Sequence, residues 1–422
     1  MRTTLLLLFL SFASTAQELV IGTTYSLEAT THVISVWRTF PESVPTRTVN
    51  RTSTSLEQLL SASPEDSVDL ILSSSPILFT HLQEKGLLAA VIAPDAPEQQ
   101  WVPGQLRGHV VAFSVSGYGM LINQHYLDGQ GISAPEDWEG MADPRLRGMV
   151  ILSSPSRSDT NHIMIETLLQ RRGWESGWRL LLEIAGNLGT LSSRSFGVAE
   201  KVQADLAAVG PVLDSYANVL LANPDLRFHY FPDFTVSPTY IAVNAKSRNI
   251  AHAQAFIRYL LSERGQQALG EVETGKYPII RLPVDHPLAA RQHQLLSLPP
   301  IDYGLMIRRQ SLVRSLFDMA ISNRLAQLQE GWRSLHQAEQ QIGHSLPELR
   351  RLLTDIPVSE AQSLDAAYLQ SFGVRTQAYS NNNLELIDWQ NYFHLRQRQL
   401  YTALGKMGVG TASTSQSGAG RK

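Results

Sequence analysis

Short apolar segments alternate with amphipathic ones from Glu18 onward, and this alternation limits the possible folds more than any other feature of the chain. Three apolar runs, beginning at Glu18, Pro45 and Asp69, have the length of buried strands, and a helical pattern follows each of them. A repeated strand–helix unit of this kind is typical of a parallel sheet that helices cover on both faces. The pattern therefore predicts a doubly wound α/β fold for this part of the chain.

A second strand–helix series extends the α/β pattern to about residue 265. Two strand-like runs, 109–115 and 118–123, lead into it, and the apolar run 149–152 opens it. The further elements predicted in this series are helices at 162–172, 177–185, 198–206 and 251–261, and strands near 212–213 and at 240–244.

From about Leu282 the pattern becomes almost purely helical. Apolar residues within 312–335 recur at steps of three and four, with one step of six, which is helical periodicity. Ser345 and Ser359 each begin the spacing of a capping box, and an amphipathic pattern occupies 384–404. The last part of the chain is therefore predicted to be an added α-helical region, followed by a disordered tail.

The N-terminus has the features of a secretory signal peptide. A basic start at Arg2 precedes a short apolar run, and small residues, Ser14 and Ala16, precede a cleavage point before Gln17. The 422 residues contain no cysteine, so neither a disulfide nor a lipid anchor on a cysteine is expected. These features predict export to the bacterial periplasm.

Composition excludes several functions. The 35 Lys and Arg against 38 Asp and Glu give a net charge of −3, which provides no general attraction for nucleic acid. Without cysteine there is no thiolate metal site and no cysteine nucleophile. An exported hydrolase on an α/β scaffold is an alternative function, but no nucleophile elbow, zinc-protease helix or nucleophile–base spacing is found. The chain is therefore predicted not to be an enzyme.

Three loops combine an arginine with several hydroxyl groups just before a predicted helix. They are 50–55 around Arg51, 153–160 around Arg157, and 192–197 around Arg194. A helix N-terminus exposes free N–H groups at the positive end of its dipole, and an arginine adds a fork that matches a carboxylate or phosphate. For any one loop alone, serines that cap a helix and a solvated arginine are an adequate explanation. Three such loops in one chain favour an anion receptor.

Two other turns carry clustered hydroxyl groups. Residues 23–26 connect the first strand to its helix, and Ser73–Ser75 follow the strand that begins near Asp69. Such clusters suit hydrogen bonding to a polyhydroxyl or phosphorylated solute. Ser75 could equally be the cap of the helix that Pro76 begins.

Several of these segments resemble the bacterial periplasmic solute-binding proteins of the ferric-ion/extracellular type. Residues 117–123 resemble the crossing strand of that family, and 144–152 with 155–160 resemble the entry to its second domain. Residues 214–217 and 255–266 match its later landmarks. The resemblance spans nearly the whole mature chain and is most specific over 18–285.

This resemblance implies a two-lobed periplasmic-binding-protein fold (type II-like) with an additional α-helical C-terminal region. A solute would be clamped between two α/β lobes that crossing strands connect. The expected organisation is a signal peptide at 1–16, a first lobe at 17–115, a second lobe at 116–285 with a crossing back near 212–245, a helical region at 286–407, and a disordered tail at 408–422.

The ferric members of this family usually carry two adjacent tyrosines near the late hinge, and this chain has no Tyr-Tyr pair. We therefore expect no metal and no cofactor. The arginine loops instead favour a small phosphorylated anion, and the resemblance implies phosphoglycerate or a related organophosphate. Ferric ion or a sugar phosphate, carried for an ABC importer, is the alternative. By position, the expected ligand-binding residues are Thr24, Tyr25, Ser26, Arg51, Ser74, Ser75, Ser156, Arg157, Ser158, Thr160, Ser193, Arg194, Ser195, Asp214 and Tyr216.

The resemblance also implies a partner in the membrane, either a sensor kinase or an ABC permease. The protein itself is expected to be a monomer with no nucleic-acid partner. Its C-terminal helices are either a docking surface for the partner or helices packed on the second lobe.

Overall fold

The computed structural model describes residues 18–25, 28–62, 68–91, 97–271, 274–378 and 383–408. The predicted signal peptide at 1–16, Ser26, and the predicted tail beyond residue 408 lie outside the described residues. Within the described ranges, no helix has both the length and the apolar character needed to cross a membrane.

Strands and helices alternate through the first two thirds of the chain. The strands are β1 (Leu19–Thr23), β2 (Thr46–Asn50), β3 (Leu70–Ser73), β4 (Val110–Asn123), β5 (Val150–Ser153), β6 (Leu188–Ser192), β7 (Val209–Leu213), β8 (Leu226–Tyr230), β9 (Val236–Val243) and β10 (Tyr277–Pro278). The helices between them are α1 (Glu28–Trp37), α2 (Ser53–Ala62), α3 (Pro76–Glu84), α4 (Gln124–Gln130), α5 (Asp159–Arg172), α6 (Trp174–Ala185), α7 (Phe196–Gln203), α8 (Asp214–Asn218), α9 (Ile250–Leu261) and α10 (Glu263–Leu269).

The last third is helical, as predicted. Its helices are α11 (Ala289–Leu296), α12 (Tyr303–Arg308), α13 (Gln310–Ala320), α14 (Leu325–Ile342), α15 (Pro347–Thr354), α16 (Glu360–Leu364), α17 (Ala366–Ala378) and α18 (Leu384–Lys406).

The strands form one mixed sheet in the order β2-β1-β3-β9-β4-β7-β5-β6, with β8 and β10 also paired to β4. The parallel arrangement predicted from the sequence holds within each lobe, where β1 pairs with β2 and β3, and β5 pairs with β6 and β7. It is wrong for the centre of the sheet, since β9 is antiparallel to both β3 and β4. The two central strands carry the chain from one lobe to the other and back, so they run against their neighbours.

The strand β4 joins the two lobes. Its first half, to Gly117, pairs with β9 in the first lobe, and its second half, from Tyr118, pairs with β7 in the second. The sequence predicted two separate strands here, but all fourteen residues are buried and the strand is continuous. At the junction a Cβ on Gly117 would lie 2.4 Å from a methyl of Leu295, so only glycine fits there without displacing a neighbour.

The chain returns to the first lobe through β9, inside the range 212–245 expected for that crossing. The helix α9 then packs on the first lobe, where Phe256 and Tyr259 contact the ring of Trp37 at centroid distances of 5.3 and 5.5 Å. Aromatic packing of this kind adds to the stabilisation from burial. The first lobe thus contains segments that come before and after the second lobe in the sequence.

The C-terminal helices pack on the second lobe and share its hydrophobic core. The indole of Trp332 on α14 donates a hydrogen bond to the carbonyl of Leu182 at 2.8 Å, and the indole of Trp174 on α6 donates to Val358 at 2.8 Å. Of the two roles considered for these helices, packing on the second lobe is the one that the structure displays.

One helix predicted in this region is divided into two. The periodicity over 312–335 predicted one helix, but a 3₁₀ turn at Ser322–Arg324 separates α13 from α14. The single step of six in that pattern, from Met319 to Leu325, marks the break.

The capping box predicted at Ser359 is confirmed, with reciprocal bonds between Ser359 and Gln362. The one predicted at Ser345 is wrong, because the Ser345 hydroxyl donates to Glu339 at 3.2 Å, and Leu346 is the residue before α15.

A buried ion pair fastens the helical region to the second lobe. Arg309, immediately before α13, donates two bonds of 2.6 Å to the two oxygens of the Glu166 carboxylate on α5. Both side chains are almost fully buried, at 4% and 0% exposure, and the guanidinium lies 5.1 Å from the ring of Trp174. Losing one partner would leave an uncompensated charge inside the protein.

We therefore expect Arg309→Met to lower the free energy of unfolding by about 3–5 kcal/mol in urea titrations. The double change Arg309→Met with Glu166→Met should recover much of this loss, because neither charge is then left alone. The control Arg308→Met, at the neighbouring exposed arginine, should change stability by less than about 0.5 kcal/mol. Equal losses in the single and double variants would contradict this account of the pair.

Candidate functional site

A polar cleft lies between the two lobes. Its cavity is narrow, with a volume of about 40 Å³, because the two lobes stand close together. Its walls come from turns of both lobes. The lining residues are Thr24, Tyr25, Arg51, Thr52, Ser53, Ser73, Ser74, Ser75, Arg157, Ser158, Asp159, Thr160, Arg194, Ser195, Phe196 and Tyr216.

The cleft lies at the carboxyl ends of the parallel strands and at the N-termini of the helices that follow them. The helix α2 begins at Ser53, and α3, α5 and α7 follow the N-cap residues Ser75, Ser158 and Ser195. Four positive helix ends therefore face one cleft, two from each lobe. Such ends bind anions through their free N–H groups.

The serines at these helix ends act partly as caps. The hydroxyl of Ser75 accepts from the Leu78 N–H at 3.1 Å, and that of Ser158 accepts from the Asn161 N–H at 3.4 Å. Ser195 makes no such capping bond. The capping explanation that the sequence left open is thus correct for Ser75 and Ser158. It does not remove them from the cleft, because both also line it.

The three arginines of the predicted anion loops meet in this cleft. Arg51 and Arg157 are exposed, and Arg194 is half-buried, with its guanidinium 5.5 Å from the ring of Phe196. Among the described residues, none of the three forms an ion pair with a carboxylate. A cleft with three such cations attracts an anion although the whole chain carries a net charge of −3.

The lobes touch each other at the cleft. The hydroxyls of Ser74 in the first lobe and Thr160 in the second lie 3.3 Å apart. Arg194 donates from the second lobe to the side-chain oxygen of Asn50 in the first at 2.8 Å. A solute in the cleft would therefore be within reach of both lobes.

One carboxylate, Asp159, stands among the described lining residues. It pairs with Arg314, which comes from α13 of the helical region. Burial acts to raise the pKa of Asp159, but the charge of Arg314 and the nearby hydroxyls of Ser53 and Ser75 outweigh it, and the pKa is lowered. Asp159 is therefore ionised at neutral pH.

Comparison with known proteins identifies the family. Residues 65–303 match the family model of the bacterial extracellular solute-binding proteins. The phosphoglycerate transport regulatory protein PgtC of Salmonella typhimurium is 49% identical over 391 residues, which cover 93% of this chain and 98% of that protein. The chain is a bacterial extracellular solute-binding protein.

Solved structures agree with this at the level of the fold. The periplasmic binding protein AfuA of Actinobacillus pleuropneumoniae, with fructose-6-phosphate bound, matches with a TM-score of 0.64 at 18% identity, over 72% of this chain and 98% of AfuA. Iron-bound HitA of Pseudomonas aeruginosa matches with a TM-score of 0.53 at 16% identity, over 67% of this chain and 90% of HitA. The two-lobed periplasmic-binding-protein fold with a helical C-terminal addition is thereby confirmed.

Most of the ligand residues predicted for this solute-binding protein do lie in the cleft. Thr24 is 2.9 Å from Ser73 through their hydroxyls. The hydroxyl of Tyr25 lies 3.2 Å from that of Thr239, and the Lys276 ammonium stands 4.1 Å from the Tyr25 ring. Cleft residues absent from the prediction are Thr52, Ser53, Ser73, Asp159 and Phe196.

Other predicted residues lie away from the cleft lining. The Ser156 hydroxyl donates to Asp318 of α13 at 2.6 Å, which turns it toward the helical region. Ser193 is exposed and is not among the lining residues, and Ser26 lies outside the described residues. Asp214 is fully buried behind the cleft. Tyr216 does line the cleft, and burial raises its pKa above the usual value for tyrosine.

Asp214 lies at the junction between the two lobes of the solute-binding protein. Its Oδ2 accepts from the Gly117 N–H and from the Tyr230 hydroxyl, both at 2.8 Å, and Tyr230 is 3.2 Å from the Tyr277 hydroxyl. Gly117 is the residue at which β4 changes lobes. Burial raises the pKa of Asp214 to about 7, against the hydrogen bonds that lower it.

Within the described ranges, no group of three or more His, Asp or Glu side chains is placed to hold a metal ion.

The raised pKa of Asp214 makes stability depend on pH. The folded protein holds this proton up to about pH 7, whereas the unfolded chain loses it near pH 4, so stability should fall as pH rises from about 4 to 7. The contribution is at most about 4 kcal/mol for three pH units. Asp214→Asn, which has no proton to lose, should flatten this part of the curve in urea titrations at pH 4 to 8.

The control is Asp388→Asn, at an exposed position on α18, which should leave the pH profile of unfolding unchanged. A profile of Asp214→Asn that is parallel to wild type over the whole range would show that Asp214 does not carry the raised pKa.

Proposed function

We propose that this protein binds a small phosphorylated anion, phosphoglycerate or a related organophosphate, between its two lobes. The observation that carries the proposal is the convergence of Arg51, Arg157 and Arg194 with four helix N-termini on one cleft. Both features recognise the oxygens of a phosphate or carboxylate. The many hydroxyl groups around them can bond the remaining polar atoms of a small organic acid.

The relatives support this ligand class. PgtC is named as a phosphoglycerate transport regulatory protein, and 49% identity over 98% of its length makes a similar solute a reasonable expectation for this chain. AfuA, which shares the fold, holds a sugar phosphate.

Binding is proposed to act through closure of the lobes. Arg51 belongs to the first lobe, and Arg157 and Arg194 belong to the second, so an anion between them bonds to both. A ligand that makes contacts only in the closed arrangement shifts the population toward it. The β4 strand and the Asp214–Gly117 bond at its junction are the elements about which such a motion would turn.

In the cell, we propose a periplasmic sensor that reports its solute to a membrane partner such as a sensor kinase, without catalysis. The name of PgtC supports a regulatory role. More than a quarter of this chain also lies outside the match to AfuA. Delivery to an ABC permease is the second candidate, which family membership favours. The two roles are separated by deleting the gene while the permease is expressed from an independent promoter. Uptake of labelled solute should then be lost if the protein delivers the solute, and should persist if the protein is only a sensor.

Calorimetric titration of the purified protein tests the ligand. We expect heat of binding with 2- and 3-phosphoglycerate, and comparison with phosphoenolpyruvate and sugar phosphates gives the preferred compound. If none of these compounds produces heat and ferric ion binds instead, the proposal is wrong.

We expect Arg194→Gln to weaken phosphoglycerate binding by about tenfold to a hundredfold, since a hydrogen bond to a charged group contributes about 1.5–3 kcal/mol. Arg157→Gln should have an effect of the same size, and both are measured by the same titration. Arg38→Gln, at an exposed arginine away from the cleft, removes an equal charge and should leave affinity within about twofold. Equal effects of Arg38→Gln and Arg194→Gln would mean that only overall charge matters.

A further inference from the structure

The carboxylate of Asp159 is a negative charge in a cleft that is proposed to bind an anion. It stands among the same lining residues as Arg51, Arg157 and Arg194. A negative side chain there repels an anionic solute and lowers its affinity unless its charge is balanced and its oxygens bond the solute. As the first residue of α5 it also interacts favourably with the positive helix end, and a bond to the solute would offset the rest of this cost.

The balancing charge comes from outside the two lobes. Arg314 on α13 is ion-paired to Oδ1 of Asp159, and their side chains are 20% and 11% exposed. The same helix holds the rest of the loop, because Asp318 accepts from Ser156 at 2.6 Å and from Ser154 at 3.3 Å. The C-terminal region thus fixes both the position and the charge of Asp159.

The second oxygen of Asp159 has no partner. Its Oδ2 is buried and accepts no hydrogen bond from any of the described residues. The hydroxyls of Ser53 and Ser75 in the other lobe lie near enough to lower the pKa of Asp159, but neither forms a hydrogen bond to this oxygen in the present arrangement of the lobes. A buried carboxylate oxygen without a donor is costly, and a donor supplied by a solute would satisfy it. A phosphate or carboxylate group that is fully ionised carries no such donor, whereas a hydroxyl group does.

We infer that Asp159, held by Arg314, accepts a hydrogen bond from a free hydroxyl of the bound organophosphate and so selects phosphorylated anions that carry one. This inference rests on the proposed function. Asp159 is then the specificity-determining residue of the cleft, and Arg314 is its positioning residue. The arginines supply attraction for any small phosphorylated acid, and Asp159 discriminates among them by the hydroxyl.

The test uses two ligands that differ by one hydroxyl group, 3-phosphoglycerate and its 2-deoxy analogue 3-phosphooxypropanoate. Their affinities for the full-length protein are measured by calorimetry, and their ratio is the readout. The wild-type protein should prefer 3-phosphoglycerate by about tenfold or more. Asp159→Ala should reduce the ratio to about one, because the acceptor is gone. The long-range effect of removing the Asp159 charge changes the affinities for both ligands nearly equally, so it cancels in their ratio.

Arg314→Gln should also reduce the ratio, but not in the Asp159→Ala background, since it acts only through Asp159. Arg308→Gln, at an exposed arginine before α13, is the matched control and should leave the ratio unchanged. If Asp159→Ala does not fold, as judged by circular dichroism, Asp159→Asn keeps the shape and should still weaken the preference.

The outcomes separate this inference from the proposed function. If neither these two ligands nor any other organophosphate of the titration series binds to the wild-type protein, the proposed function is wrong and this inference falls with it. If both bind and the wild-type ratio is near one, or if Asp159→Ala keeps the wild-type ratio, the inference is wrong while the proposed function stands.

Discussion

The pairing of one buried fourteen-residue strand with both halves of the sheet determines the rest of the structure. Because β4 is shared, the two sets of parallel strands are held with their carboxyl ends toward a common gap. The helices that follow those strands then present their N-termini to the same place. The cleft, its polarity and its positive field all follow from where β4 changes partners, at Gly117. The buried Asp214, bonded to the Gly117 N–H, fixes the backbone at this junction.

The field in the cleft is local and independent of net charge. Although the chain has more acidic than basic residues, Arg51, Arg157 and Arg194 lie together near helix N-termini. All three line the cleft and can contact a solute there directly. Charges farther than about 8–10 Å away are screened at physiological ionic strength. The proposed recognition of an anion would therefore depend on these few groups, and the remaining surface charges would affect mainly solubility and encounter rate.

The sequence was sufficient to predict the arginines and hydroxyls of the cleft because turns after parallel strands meet at one edge of a sheet. Arg157 and Arg194 could be placed from local spacing alone. The pairing of Asp159 with Arg314 could not, since 155 positions separate them and α13 carries no local signal of its contact with the loop. Ser156 was expected in the cleft for the same reason that Arg157 was, but Asp318 draws its side chain to the opposite side. Asp214 was predicted to bind the ligand, but it is buried behind the cleft, and its bonds to Gly117 and Tyr230 could not be predicted without knowing that β4 is continuous.

The loop 153–160 has two sides with different partners, and this division links the cleft to the outer helices. Arg157, Ser158 and Thr160 face the solute space, whereas Ser154 and Ser156 bond to Asp318. Asp159 contacts both sides, because it lines the cleft and pairs with Arg314. If a solute moves this loop toward the first lobe, the hydrogen bonds from the loop to α13 are strained. The helix α13 in turn shares a hydrophobic core with the other C-terminal helices. Because packed helices shift as units rather than deforming continuously, such a movement of the loop would displace α13 together with its neighbours. The C-terminal region is thus in direct contact with the loop that would hold the proposed solute.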